Sequence, residues 1–147
     1  MCKHPDWWVK IADFGISKRA TEELIAPRTS TGTRDFAAPE VLGFTQSDSY
    51  TNAIEIWSLG LITFVILTGE TLFTDQRRLN QYVIGSFTFP SGILLANEVS
   101  EEGCEFVKNL MAPEPEDRPE AAECLQNPWL ACLPEPAAPE IQRYCVL

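Results

Sequence analysis

Asp13-Phe14-Gly15 and Ala38-Pro39-Glu40 bracket the stretch, residues 13–40, around which this sequence is organised, and Thr29-Ser30-Thr31-Gly32-Thr33 stands between them. Residues 16–31 are rich in Ser, Thr, Lys and Arg and carry no sustained apolar period, so they read as a loop. Just upstream, Trp7-Trp8-Val9-Lys10-Ile11-Ala12 mixes aromatic and β-branched residues with a lysine, the composition of a short, half-buried strand leading into Asp13.

Downstream, residues 50–69 are the most apolar part of the chain. A helix apolar on nearly all sides is either buried or membrane-spanning. Glu55, Ser58 and Gly60 interrupt this one, and it falls short of the roughly 20 apolar residues a bilayer requires, so a buried core helix over about 52–68 is expected. Gly69 is a fitting stop, and Asn52-x-x-Glu55 has the spacing of a capping box. Residues 76–90 suit a short helix followed by a loop. Ser100-Glu101-Glu102 reads as a helix start, because the hydroxyl caps free N–H groups and the acids suit the positive end of the dipole. Cys104, Phe106, Val107, Leu110 and Met111 then form an apolar face at helical spacing. After Trp129 the repeated Pro and Ala of residues 131–147 signal an extended tail. No internal repeat is visible.

D-F-G followed at this distance by A-P-E is the pair of markers that brackets a protein-kinase activation segment. Three further tracts carry the same resemblance. Glu55-Ile56-Trp57-Ser58-Leu59-Gly60 matches D-x-W-S-x-G, with Glu where the family has Asp. Tyr82-Val83-Ile84-Gly85 with Phe87-Thr88-Phe89-Pro90 matches an I-x-x-G-x-x-x-F-P tract. Residues 110–119, containing Pro113, Asp117, Arg118 and Pro119, with Asn127-Pro128-Trp129-Leu130 beyond them, match the last kinase subdomain. The chain thus resembles the large (C-terminal) lobe of a eukaryotic-type serine/threonine protein kinase from D-F-G onward, similar to the calmodulin-dependent and checkpoint group. Arg34 and Phe36 depart from the family's Pro and Tyr.

The resemblance implies a mainly α, partial protein-kinase-like fold over residues 1–130: C-lobe helices with a short β-strand before D-F-G, the N-lobe and catalytic loop absent. It implies ATP and Mg²⁺ as cofactors, with Asp13, Phe14 and Gly15 at the nucleotide and Asp13 on the metal. Thr29, Ser30 and Thr31 are the implied activating phosphoacceptors, and a phosphate there adds about two negative charges able to order the loop through Arg or Lys. Gly32 and Thr33 correspond to the substrate pocket, while Glu55 and Trp57 are structural. Arg118 is the implied partner of Glu40, since a planar guanidinium can hold a carboxylate through two hydrogen bonds.

The length of 147 residues suits one domain, whereas a complete two-lobed kinase is expected at roughly twice that, so the chain reads as a piece. Its formal net charge is −10, and residues 101–147 carry 10 acidic against 3 basic side chains. Nucleic acid and anionic membrane are therefore not expected as partners. The acidic end reads as a solvated surface, or else as a docking face for a basic partner. Five cysteines without C-x-x-C spacing, a single histidine and no apolar signal core give no zinc pattern and point to reduced thiols in the cytoplasm or nucleus.

Of the parts phosphoryl transfer needs, a Gly-rich loop, a strand Lys with its Glu, the H-R-D-x-x-x-x-N loop and D-F-G, the sequence contains the last. His4-Pro5-Asp6 is no substitute, because Pro5 replaces the Arg and no Asn follows in register. Three readings follow: a serine/threonine kinase fragment inactive alone, a non-catalytic interaction module engaging a protein substrate or a full-length kinase, or a decayed fragment. In each, the core helix lacks the upstream helices that cover it in the family, so an exposed apolar face and dependence on a partner are expected.

Overall fold

Ala53–Thr68 (α1) is the longest helix among the described residues and packs against two later helices and both 3-10 turns. The computed structural model describes residues 34–45 and 51–131. Within them all regular structure is helical. The strand expected before Asp13 and the Pro-rich tail from residue 132 lie outside the described residues, as do residues 1–33 generally.

The near-uniform apolar character of α1 conceals two faces. Ile56, Trp57, Gly60, Leu61 and Phe64 are buried, whereas Leu59, Ile62 and Ile66 are 45%, 44% and 76% exposed. Burial on all sides is thus corrected to burial on one, since nothing among the described residues covers the second face. The expected open apolar surface is present there. Gly69 ends the helix in the left-handed region (φ 72°), donating its N–H to the Val65 carbonyl at 2.8 Å.

The Asn52–Glu55 capping box does not form. Asn52 has helical torsions (φ −58°, ψ −14°) where a capping side chain needs an extended backbone, and it makes no cap bond. Thr51 takes the place, its hydroxyl accepting from the Ala53 N–H at 3.3 Å.

Five shorter helices follow along the chain. Gln76–Val83 (α2) starts at Asp75, whose carboxylate accepts from the Arg78 N–H at 2.8 Å, and buries Leu79 and Tyr82. Ser91–Ala96 (α3) follows Pro90 and buries Leu94. Glu101–Leu110 (α4) begins as the sequence suggests, with the Ser100 hydroxyl accepting from the Gly103 N–H at 3.2 Å, and Cys104, Phe106, Val107, Leu110 and Met111 are all buried. Ala121–Leu125 (α5) opens with a capping box built from Glu120 and Glu123. Pro128–Ala131 (α6) lays Trp129 against Phe106, ring centroids 5.5 Å apart. Helix α4 contacts α1, α3 and α6, so the core lies between α1 and α4.

Their close approach depends on Gly60. A Cβ there would stand 2.5 Å from Met111 Cγ and 2.9 Å from Leu110 Cβ. Aromatic side chains fill the other end of the core: Trp57 stacks on Phe73 (5.9 Å, 5°), and Tyr82 packs against both. The Tyr82 hydroxyl donates to the Met111 carbonyl at 2.9 Å. Burial pushes its phenol up to about 12, with the Arg118 charge pulling the other way.

Gly60→Ala, which in an open helix gains up to about 1 kcal/mol, is expected here to lower stability by about 1–3 kcal/mol because the methyl overpacks the α1–α4 contact; denaturant midpoints of the two proteins check this. An unfolded tyrosine ionises near 10, so the folded state retains the Tyr82 proton over a window from about 10 to about 12. Its contribution to stability is full below pH 10 and is lost as pH rises through that window. Thermal midpoints measured across it should fall for the native protein, with this part of the fall removed in Tyr82→Phe.

Candidate functional site

Residues 38–44 form a tight helical turn: the Val41 N–H donates to Ala38 O at 3.0 Å and the Phe44 N–H to Pro39 O at 2.9 Å. Gly43 supplies the left-handed residue (φ 77°) that closes it. Ala38 and Pro39 are fully buried, and the turn aims Glu40 into the protein.

Arg118 meets it from the far side of the sequence. The residue follows the 3-10 turn Pro115–Asp117 and adopts an extended backbone (φ −83°, ψ 139°). Its Nη1 donates to Glu40 Oε1 at 2.7 Å and its Nη2 to Glu40 Oε2 at 2.8 Å. The remaining donors go to carbonyls: Nε to Ala112 (2.8 Å), Nη1 to Ala53 (2.9 Å) and Nη2 to Pro113 (2.9 Å). All five N–H groups of the guanidinium are therefore used. Both side chains are essentially inaccessible, 0% and 1%, and the guanidinium lies over Trp57, 5.1 Å from the ring centroid. A buried ion pair of this kind survives desolvation only with such complete pairing.

A second link secures the residues ahead of the turn. Ser58 on α1 donates its hydroxyl to the Phe36 carbonyl at 3.0 Å, and to its own helix at Ile54 O, 3.2 Å. The 3-10 turn Arg34–Phe36 is thus tied to the same helix as Arg118, through α1's first turns. Sequence reading had not assigned Ser58 this bond; a hydroxyl in an otherwise apolar helix was the available signal.

Of the sequence-derived site residues, the structure brings together Glu40, Arg118 and Trp57. Glu55 stands apart, exposed on the first turn of α1. Asp13, Phe14, Gly15, Thr29, Ser30, Thr31, Gly32 and Thr33 lie outside the described residues. Among the described residues no group of three or more His, Cys, Asp or Glu is placed to hold a metal.

Removing either partner leaves an uncompensated buried charge, so Glu40→Ala and Arg118→Ala should each cost about 3–5 kcal/mol. Arg118→Lys should recover little of this, since an ammonium has three donors and no fork to replace five. A double-mutant cycle with Glu40→Gln and Arg118→Met, read by urea unfolding, should show a coupling well above the roughly 1 kcal/mol of an exposed pair.

Residues 1–130 match the family model described as the protein kinase domain. Similar curated proteins include serine/threonine-protein kinase 17A of Oryctolagus cuniculus, 36% identical over 125 residues, covering 83% of this chain and 30% of that protein. Myosin light chain kinase 2, skeletal/cardiac muscle, of Homo sapiens is 37% identical over 134 residues, with 88% of this chain and 21% of that protein covered. Among solved structures, Rad53 1-466 in complex with AMP-PNP is similar with a TM-score of 0.54 and 33% identity, over 67% of this chain and 26% of that one. The autoinhibited serine kinase domain of titin gives 0.55 and 32%, over 67% and 30%. The chain spans about a third or less of the length of these relatives. With the buried Glu40–Arg118 clamp and helical architecture already described, the match over residues 1–130 establishes that this chain belongs to the protein kinase domain family, as a fragment similar to serine/threonine kinases.

Proposed function

We propose that this chain forms the large-lobe portion of a serine/threonine protein kinase, in which it secures the activation segment and the substrate side of a phosphoryl-transfer site. The carrying observation is the Glu40–Arg118 clamp, which joins the end of that segment to the lobe by two short charge-assisted hydrogen bonds. In this reading Asp13 holds the Mg²⁺ of bound ATP, with Phe14 and Gly15 beside the nucleotide. When bound, the cation would neutralise charge that develops on the transferring phosphoryl group. Thr29, Ser30 or Thr31 accepts the activating phosphate, and Gly32 and Thr33 receive the substrate residue beyond the phosphoacceptor.

Transfer depends on positioning and charge stabilisation, each worth several kcal/mol of barrier. The 147 residues contain no H-R-D-x-x-x-x-N loop and no Gly-rich loop, so no turnover is expected of this polypeptide by itself. Protein partners, either a substrate or a full-length kinase, fit this reading, and the buried, unpaired thiols of Cys104 and Cys124 support a reducing compartment, the cytoplasm or nucleus.

The open apolar face of α1, at Leu59, Ile62 and Ile66, favours a second reading as a non-catalytic kinase-like interaction module. A phosphotransfer assay with radiolabelled ATP and basic peptides should show no turnover for this polypeptide. Joined to the upstream half of human myosin light chain kinase 2, the chain should phosphorylate peptide, and Asp13→Ala should abolish that activity. Turnover by the polypeptide alone that vanishes in Asp13→Ala would contradict the inactivity. A folded but inactive chimera would instead support the interaction module.

A further inference from the structure

Away from the clamp, an open depression of about 410 Å³ is lined by Thr74, Asp75, Arg77, Arg78, Gln81 and Phe87. Its floor is assembled by the turn that ends α2. Gly85 adopts a left-handed backbone (φ 74°), and the N–H groups of Ser86 and Phe87 both donate to the Gln81 carbonyl, at 2.8 and 3.0 Å. This reversal folds the Phe87 ring back beneath the helix. There the ring packs edge-on against buried Tyr82 (6.3 Å, 66°) and carries the Arg78 guanidinium over its face at 4.7 Å.

A guanidinium stacked on an aromatic face keeps its in-plane N–H fork for a planar anion. Arg77 stands exposed beside it on the same depression. Among the described residues neither arginine has a carboxylate within ion-pair reach, whereas Lys108 pairs with Glu105 and Arg118 with Glu40. Asp75, the acid on the rim, already accepts from the Arg78 backbone N–H at 2.8 Å and lies 3.5 Å from the Thr74 hydroxyl.

Two adjacent cations without a carboxylate in ion-pair reach among the described residues make the depression locally positive on a chain of net charge −10, so charge complementarity favours an acidic ligand. Two arginines beside Asp75 are too few to track a nucleic-acid backbone, which needs an extended basic stripe. Phe87 adds an apolar lining residue beside them.

From this we infer that the Arg77–Arg78–Phe87 depression is a docking site for an acidic peptide segment of a protein partner, taking one carboxylate in the arginine forks and a neighbouring apolar side chain against Phe87. The site does not rest on phosphoryl transfer and is read by binding alone.

The test is fluorescence anisotropy of the 147-residue chain with a labelled peptide of glutamates around a central phenylalanine. Saturable binding that weakens with added salt is expected, together with at least a tenfold loss in Arg77→Glu/Arg78→Glu at an unchanged thermal midpoint. Should the reversal variant fail to fold, Arg77→Gln/Arg78→Gln should show the same direction of loss. Phe87→Ala is expected to weaken the glutamate–phenylalanine peptide more than a peptide of glutamates alone. Absence of saturable binding, equal binding by the neutral glutamine analogue, affinity unchanged in both arginine variants, or equally strong binding of an oligodeoxythymidine would overturn the site.

Discussion

The fold hangs on the Arg118 guanidinium. Its five donors reach a carboxylate and three carbonyls drawn from three places in the chain: the turn at Glu40, the first turn of α1 at Ala53, and the loop carbonyls of Ala112 and Pro113. Each acceptor is a group that is costly to leave unpaired in the interior. The guanidinium therefore joins at one point the first turn of α1, the loop leaving α4 and the turn at Glu40. The residues it joins are 65 and 78 positions apart from it in sequence, which makes this a long-range closure and not a local cap.

Trp57 ties that polar knot to the core. Its ring lies under the Arg118 guanidinium and stacks on Phe73, which contacts Tyr82, which in turn contacts Phe87 beneath Arg78. Two arginines of opposite character thus stand at the ends of one aromatic run. Arg118 is buried and saturated, and it builds structure. Arg78 is half-buried, with no carboxylate in ion-pair reach among the described residues. The difference follows from burial: inside, a charge persists only when every donor is met, while at the surface an open fork is tolerated by water.

The two faces of α1 divide in the same way. Gly60 and Phe64 sit against α4 and the core, and Ser58 holds the Phe36 carbonyl at the edge, so this side fixes the turn at Arg34–Phe36. The other side, with Ile66 76% exposed, is apolar without cover among the described residues. Helices bury what a neighbour offers them, and uniform apolarity along a helix does not say on how many sides neighbours stand. That is why the composition of residues 52–68 suggested a fully buried element and the coordinates show a half-buried one.

Much was legible in the residues themselves. The start of α4 at Ser100 and the stop of α1 at Gly69 follow from local hydrogen bonding and backbone freedom, which act over a few residues and leave a direct mark in sequence. The pairing of Glu40 with Arg118 was implied by the resemblance to the kinase family, and the guanidinium fork suits the carboxylate. Other features were not. Asn52 had the residue type of a cap, but its backbone is helical, and Thr51 caps instead; the α5 capping box uses Glu120, a residue outside the usual cap alphabet. By itself the sequence determined the family, the helical period and the chemical partners. Only tertiary structure decided which face of α1 is covered, that Gly60 meets Leu110 and Met111 too closely for a Cβ, and that Arg78 lies on Phe87. These depend on contacts between segments distant in the chain or turned back on themselves, where shape and exclusion of water, not local preference, set the outcome.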